Sequence, residues 1–146
     1  MLATQLHYAL SFTGTEHGMD SQQKDRFDAL IREGGIRLLI HGACIGADDE
    51  ADEIAAYHGV PRLAYPSTKT DKRVPNAVLL ARTGSHITFH KEVLDPLKRN
   101  PLIVLAGDRL VACPYEQEEI IRSGTWTTVR HARRLGREVL VIRRAI

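Results

Sequence analysis

Ser123-Gly124-Thr125-Trp126-Thr127-Thr128-Val129-Arg130 lies between two apolar runs, Arg109 to Cys113 and Glu138 to Ile142. The runs read as strands, and the stretch between them reads as a tight turn that opens a helix. Ser123 and Thr125 are both natural N-cap residues. Gly124 permits a close backbone approach. The first helical turn carries hydroxyls and no carboxylate, so its free N–H groups and positive dipole end are available to an anion. Arg122 and Arg130 add positive charge nearby. A strand, a small-residue turn and an acid-free helix start together describe a phosphate seat, or else an ordinary capped helix.

Working back toward the N-terminus, the same pattern recurs. Leu6 to Phe12 alternates as a strand and runs into Thr13-Gly14-Thr15. A helix is expected from Ser21 to Glu33, capped by Asp20 or Ser21 and ended by Gly34-Gly35. Ile36 to Ile40 reads as a buried parallel strand. His41-Gly42-Ala43-Cys44-Ile45-Gly46-Ala47-Asp48 is a second strand-to-helix turn. The helix it opens buries Ala47, Ala51, Ile54, Ala55 and His58 and is acidic on its other face. Those acids make it a poor phosphate site; Asp48 is either its N-cap or an acceptor for a hydroxyl-rich group such as ribose.

Further along, Val60 to Tyr65 reads as a strand and Pro66 to Arg73 as a polar surface loop. A short helix is expected from Pro75 to Arg82, and His86 to His90 reads equally as strand or loop. Another helix is expected from Asp95 or Asn100 to Ala106, with Pro101 tolerated only at its beginning. Arg99-Asn100 then falls just before it, a fork-shaped donor beside an amide. Pro114 to Ser123 is a charged loop, Thr125 to Leu135 the last helix and Arg137 to Ile142 the last strand.

Strands alternating with helices predict one α/β domain over residues 1–146: a Rossmann-like, doubly wound, mainly parallel sheet with helices on both faces. The small-residue turns should converge at the carboxyl ends of the strands, where such folds bind ligands.

Composition narrows the function. The net charge of +2 does not by itself indicate a nucleic-acid binder. Arg130, Arg133, Arg134, Arg137, Arg143 and Arg144 crowd the last quarter, as a solvated basic face does. Cys44 and Cys113 have no C-x-x-C partner, which fits reduced thiols and a cytoplasmic location. No apolar run reaches membrane-span length. There is no G-x-G-x-x-G, P-loop, nucleophile elbow or close metal-ligand cluster, so neither a metal nor a cofactor is expected.

Thr13-Gly14-Thr15, His41-Gly42-x-Cys44-x-Gly46-Ala47-Asp48, Arg99-Asn100 and Ser123-Gly124-Thr125-x-Thr127-Thr128, in this order, resemble the SLOG superfamily. That group comprises Rossmann-like domains related to DprA and to the LOG phosphoribohydrolases. The resemblance implies a pocket for a nucleotide or nucleotide-derived molecule. Thr125, Thr127, Thr128 and Arg99 would meet phosphate and Asp48 ribose, with Gly14, Gly42, Gly46 and Gly124 allowing backbone approach. Arg99-Asn100 looks like the R-N motif of the family.

LOG enzymes place a catalytic glutamate where Thr128 stands here, and threonine is no general base at neutral pH. The S-G-T-x-x-T pattern is closer to DprA. The expected function is therefore binding of a nucleotide-derived signal, such as an ADP-ribose or cyclic nucleotide, by a sensor or sequestering protein that pairs into homodimers or higher oligomers. A LOG-like hydrolase drawing a carboxylate from Glu16, Glu116, Glu118 or Glu119 is the first alternative. DprA-like single-stranded nucleic-acid binding is the second, set lower because aromatics are only 5% of the chain.

Overall fold

In the computed structural model, which describes residues 7–146, the first alternating run pairs as β1 (Tyr8–Gly14) at the centre of a sheet; Leu6 lies outside the described residues. The remaining strands are β2 (Ile36–His41), β3 (Arg62–Ala64), β4 (Ile87–Phe89), β5 (Arg109–Cys113) and β6 (Glu138–Val141). Their spatial order is β4-β3-β2-β1-β5-β6. Every pairing is parallel, with Leu10 opposite both Leu39 and Arg109. The chain winds outward from β1 through β4, then returns to place β5 on the other side of β1. That reversal is the doubly wound topology, and β1/β5 is its switch point.

The period-two alternation of the strands supplies both faces. Leu10, Phe12, Val111 and Cys113 pack against α1 (Ser21–Arg32) and α2 (Ala47–Tyr57) through Phe27, Ile31, Ala51 and Ala55. Phe12 and Phe27 meet edge-to-face at 5.1 Å. Leu110 and Ala112 face the opposite way, onto Val104 of α4 (Pro96–Ala106) and Trp126, Val129 and Ala132 of α5 (Gly124–Arg134). Fully buried Trp126 thus anchors the last helix to the sheet. Asp20 caps α1 in a reciprocal box with Gln23.

Several boundaries differ from expectation for identifiable reasons. β3 starts at Arg62 rather than Val60, because Val60 N–H is spent on Ala55 O as α2 ends and Pro61 has no N–H. The segment His86 to His90 resolves as the short edge strand β4. The Pro66–Arg73 loop contains a 3-10 turn at Thr70–Lys72 and is tied down by bridges Cys44–Arg73 and Ser67–Leu94. α3 (Asn76–Leu80) ends before Arg82, whose guanidinium instead reaches Asp49 and Asp52.

α4 departs most. It is capped by Asp95 and runs through Pro101, so Arg99 and Asn100 lie within the helix rather than before it. The carbonyl four residues before Pro101, which loses its intrahelical donor, belongs to Leu97, a residue 84% exposed. Among the described residues no helix is long and apolar enough to cross a membrane.

Candidate functional site

A cleft of about 380 Å³ opens at the carboxyl ends of β1 and β5. Thr13, Gly14 and Thr15 form its floor at the end of β1, and Ser123, Gly124 and Thr125 present the start of α5. Cys44 and Asp48 enter from the β2–α2 turn, Arg99 and Asn100 from α4, and Lys69 and Lys72 from the tied-down loop. Arg122 completes the basic side.

The α5 start has the geometry of an anion seat. Ser123 Oγ accepts from Trp126 N–H at 3.2 Å, and Thr127 N–H bonds Ser123 O at 2.8 Å. By helix geometry the N–H groups of Gly124 and Thr125 then face the cleft without an intrahelical acceptor. No acid lies in this turn. A Cβ built on Gly124 meets nothing within 4 Å, so no neighbouring protein atom demands glycine there.

Arg99 is 6% exposed and rigidly held. Asn100 Oδ1 accepts from its Nε and one terminal nitrogen at 3.2 and 2.9 Å, and the other terminal nitrogen donates to Gly42 O at 3.0 Å. Gly42 is required by this packing, since a Cβ on it would lie 2.9 Å from the guanidinium carbon. Gly46, at φ +86°, is required twice over: its backbone is left-handed, and a Cβ would collide with Glu16 O.

Asp48 is not the α2 N-cap; that position is Gly46, which makes no side-chain cap. The Asp48 carboxylate folds back to accept N–H bonds from Gly42 and Cys44 at 3.1 and 3.2 Å. Burial pushes its carboxyl above the usual range, against the opposing charges of His41 and Arg99. It shapes the β2–α2 turn while lining the cleft. Burial, together with the Asp48 charge, pushes the neighbouring Cys44 thiol up to about 11, so it is no nucleophile at neutral pH.

Of the fifteen sequence-derived ligand positions, the structure brings nine to the cleft: Thr13, Gly14, Thr15, Asp48, Arg99, Asn100, Ser123, Gly124 and Thr125. The other six lie outside its lining. His41 is fully buried, its Nδ1 accepting from Ala43 N–H and its Nε2 2.8 Å from Asp52 Oδ1. Gly42 and Gly46 serve the packing just described, and Ala47 is buried in the core. Thr127 Oγ1 accepts from Arg130, while Thr128 Oγ1 donates to Gly124 O within its own helix. Threonines at a helix start face successive directions, and only tertiary placement selects the one that meets the cleft.

Glu16 and Glu116 also line the cleft. Glu16 pairs with Lys72 at 2.8 Å. Glu116 keeps one buried oxygen without a hydrogen-bond partner among the described residues, an acceptor suited to a hydroxyl or amino group. Glu119 is instead held by Arg130 and Arg133, and Glu118 is exposed and does not line the cleft. Sequence reasoning missed Lys69, Lys72, His17 and Tyr115 as lining residues. They come from loops without periodic signal. Among the described residues no cluster of three or more His, Cys, Asp or Glu is arranged to hold a metal ion.

A six-stranded parallel sheet with a cleft at its switch point defines a Rossmann-like α/β domain. Its fold is that of DNA processing protein A. It matches the Helicobacter pylori protein, whose structure addresses a single-stranded DNA binding mode, at a TM-score of 0.66 and 19% identity over 94% of this chain. It matches DprA from Streptococcus pneumoniae at a TM-score of 0.67 and 20% identity over 92% of this chain. The match takes in 65% of the first of those chains and 50% of the second. No family model and no curated protein matches the sequence.

Proposed function

We propose that this chain binds single-stranded nucleic acid, holding a backbone phosphate in the cleft at the start of α5. The observation that carries this reading is the acid-free α5 start opening into a cleft with Lys69 and Arg122, beside the braced Arg99 and the Glu16-paired Lys72. Backbone N–H groups at a helix start bind phosphate oxygens irrespective of base, and the cations supply sequence-independent attraction. The likeness of fold to two DNA processing proteins favours a strand over a free nucleotide. Membership of the SLOG superfamily is part of the same reading.

The test is fluorescence anisotropy of a labelled oligonucleotide titrated with salt. Binding whose log affinity falls linearly with log salt, with a slope reduced by about 1 in Lys69→Ala or Arg122→Ala, supports it. Salt-insensitive binding, or a slope unchanged in both variants, overturns it.

A second reading, a sensor or sequestering protein for a nucleotide-derived small molecule, is favoured by one observation. The cleft has the volume of a small-molecule pocket, and Glu116 offers an acceptor suited to a ribose hydroxyl. Competition of ADP-ribose or a cyclic nucleotide against the oligonucleotide separates the two. The LOG-like hydrolase is less well supported: Thr128 stands where that family has its glutamate and is turned into its own helix. Of the glutamates that could replace it, only Glu16, paired with Lys72, and Glu116 line the cleft.

A further inference from the structure

Two loops leave the switch point, one after β1 and one after β5, and each carries an aromatic ring to the rim of the same cleft. His17 follows β1 and Tyr115 follows β5; both line the cleft. Their ring centroids are 5.1 Å apart with planes at 60°. His17 is exposed and Tyr115 keeps 50% of its surface open. A tyrosine recruited only to pin two loops together would be expected to bury its ring, and this one does not.

The pair is also braced. The Arg144 guanidinium lies 4.8 Å from the Tyr115 ring centroid, and one of its nitrogens donates to Gly18 O at 3.1 Å. Gln117 Nε2 donates to Arg144 O at 2.7 Å, and Ala145 N–H donates to Asp20 Oδ2 at 2.8 Å. On the other side, Thr15 Oγ1 accepts from His17 N–H at 3.1 Å. Arg144 thus braces the Tyr115 ring and Thr15 the His17 backbone before any ligand arrives, which lowers the ordering cost of binding. A cation over one ring of such a pair also suits a π-system ligand beside a phosphate.

We propose that His17 and Tyr115 form a base-stacking platform at the rim of the cleft. A nucleobase of the bound ligand stacks on it while a phosphate of the same ligand sits at the start of α5. The inference rests on the nucleotide-binding reading above and adds to it a subsite for the base. Every base presents a π-face, so the platform tolerates all four and favours purines through their larger area. The low aromatic content of the chain is no obstacle, because one ring face suffices for one base; with the planes at 60°, one ring of the pair offers its face and the other backs it edge-on.

The experiment measures binding of three probes to the full chain: a dA12 oligonucleotide, an abasic 12-mer with the same phosphates, and dAMP. Tyr115→Leu and His17→Leu are expected to weaken dA12 by about tenfold each while leaving the abasic strand within about twofold. Tyr115→Phe, which keeps the ring, retains wild-type affinity. A 2-aminopurine placed in the strand loses emission on binding to wild type and keeps it on binding to Tyr115→Leu.

Equal weakening of dA12 and the abasic strand reduces the pair to loop packing and overturns the platform, as does no weakening of dA12. A base-dependent loss confined to dA12 supports the platform as part of a strand site. The same loss shared by dAMP supports it as part of a free-nucleotide site. If wild type binds none of the three probes, the nucleotide-binding reading fails and the platform with it. Binding by wild type that the variants do not change overturns the platform alone.

Discussion

Asn100 holds Arg99 from the adjacent position in the chain, its Oδ1 accepting from Nε and a terminal nitrogen at 3.2 and 2.9 Å. The planar fork is thereby aimed at the β2–α2 turn, where its remaining terminal nitrogen meets Gly42 O at 3.0 Å. Asn100 is thus a positioning residue for a cation, and Arg99 is as much a brace for the turn as a charge for the ligand. Asn100→Ala should cost about 1 kcal/mol of stability by urea denaturation. It should also weaken phosphate-bearing ligands several-fold by calorimetry. Undiminished affinity would mean that Arg99 needs no such support.

Gly124 separates seat from scaffold. Its φ lies outside the left-handed region and a Cβ meets nothing within 4 Å. Gly124→Ala should therefore leave the melting temperature unchanged or raise stability by about 0.5–1 kcal/mol, as alanine does within a helix. The added methyl stands at the helix mouth, so affinity for an oligonucleotide should drop several-fold. A stable variant with full affinity would place the anion elsewhere.

Asp52 is fully buried among basic side chains. It lies 2.8 Å from His41 Nε2, 2.7 Å from Arg62 and 2.9 Å from Arg82. Burial pushes its carboxyl up, but the hydrogen bonds from His41 and Arg82 and the charge of Arg62 outweigh it and bring it below the usual range. A depressed carboxyl stabilises the fold above its unfolded-state value and loses that contribution as pH falls through the folded one. Urea midpoints should thus fall on acidification below the ordinary carboxylate range. Asp52→Asn, which strands the buried Arg62 guanidinium, should cost about 3–5 kcal/mol and flatten this dependence.

Cys44 lines the cleft yet should be slow to alkylate. A thiol pushed up to about 11 from 9.0 carries about 100-fold less thiolate at neutral pH than an unperturbed one. Mass spectrometry after iodoacetamide treatment at pH 7 should find it unmodified where a free thiol is consumed, with reaction accelerating as pH rises. Rapid labelling at neutral pH would contradict the burial assigned to it.

Local signals carried the architecture. The strand–turn–helix pattern around Ser123–Arg130 repeats at Thr13–Thr15 and His41–Asp48, and period-two alternation at Leu10/Phe12 and Leu110/Ala112 marks both buried faces. Such patterns act over a few residues, so one sequence suffices to read them. The same locality explains the errors. Pro101 reads as tolerable only at the beginning of a helix, yet α4 starts a turn and more earlier, at Pro96, and burial of Ile103 and Val104 holds it together around Pro101.

From its sequence alone the protein was determined to be a doubly wound α/β domain with three small-residue turns at one sheet edge, because periodicity and turn chemistry are properties of neighbouring residues. Only the tertiary structure decided which side chains meet there. It sent His41 and Thr128 inward, folded Asp48 onto its own turn, and brought Lys69, Lys72, His17 and Tyr115 from distant loops to the cleft. The physical reason is that a side chain's direction at a turn is set by which donors and acceptors the packed backbone leaves unpaired. Those partners are near in the chain for His41, Asp48 and Thr128, whereas the cleft itself joins loops that lie tens of residues apart.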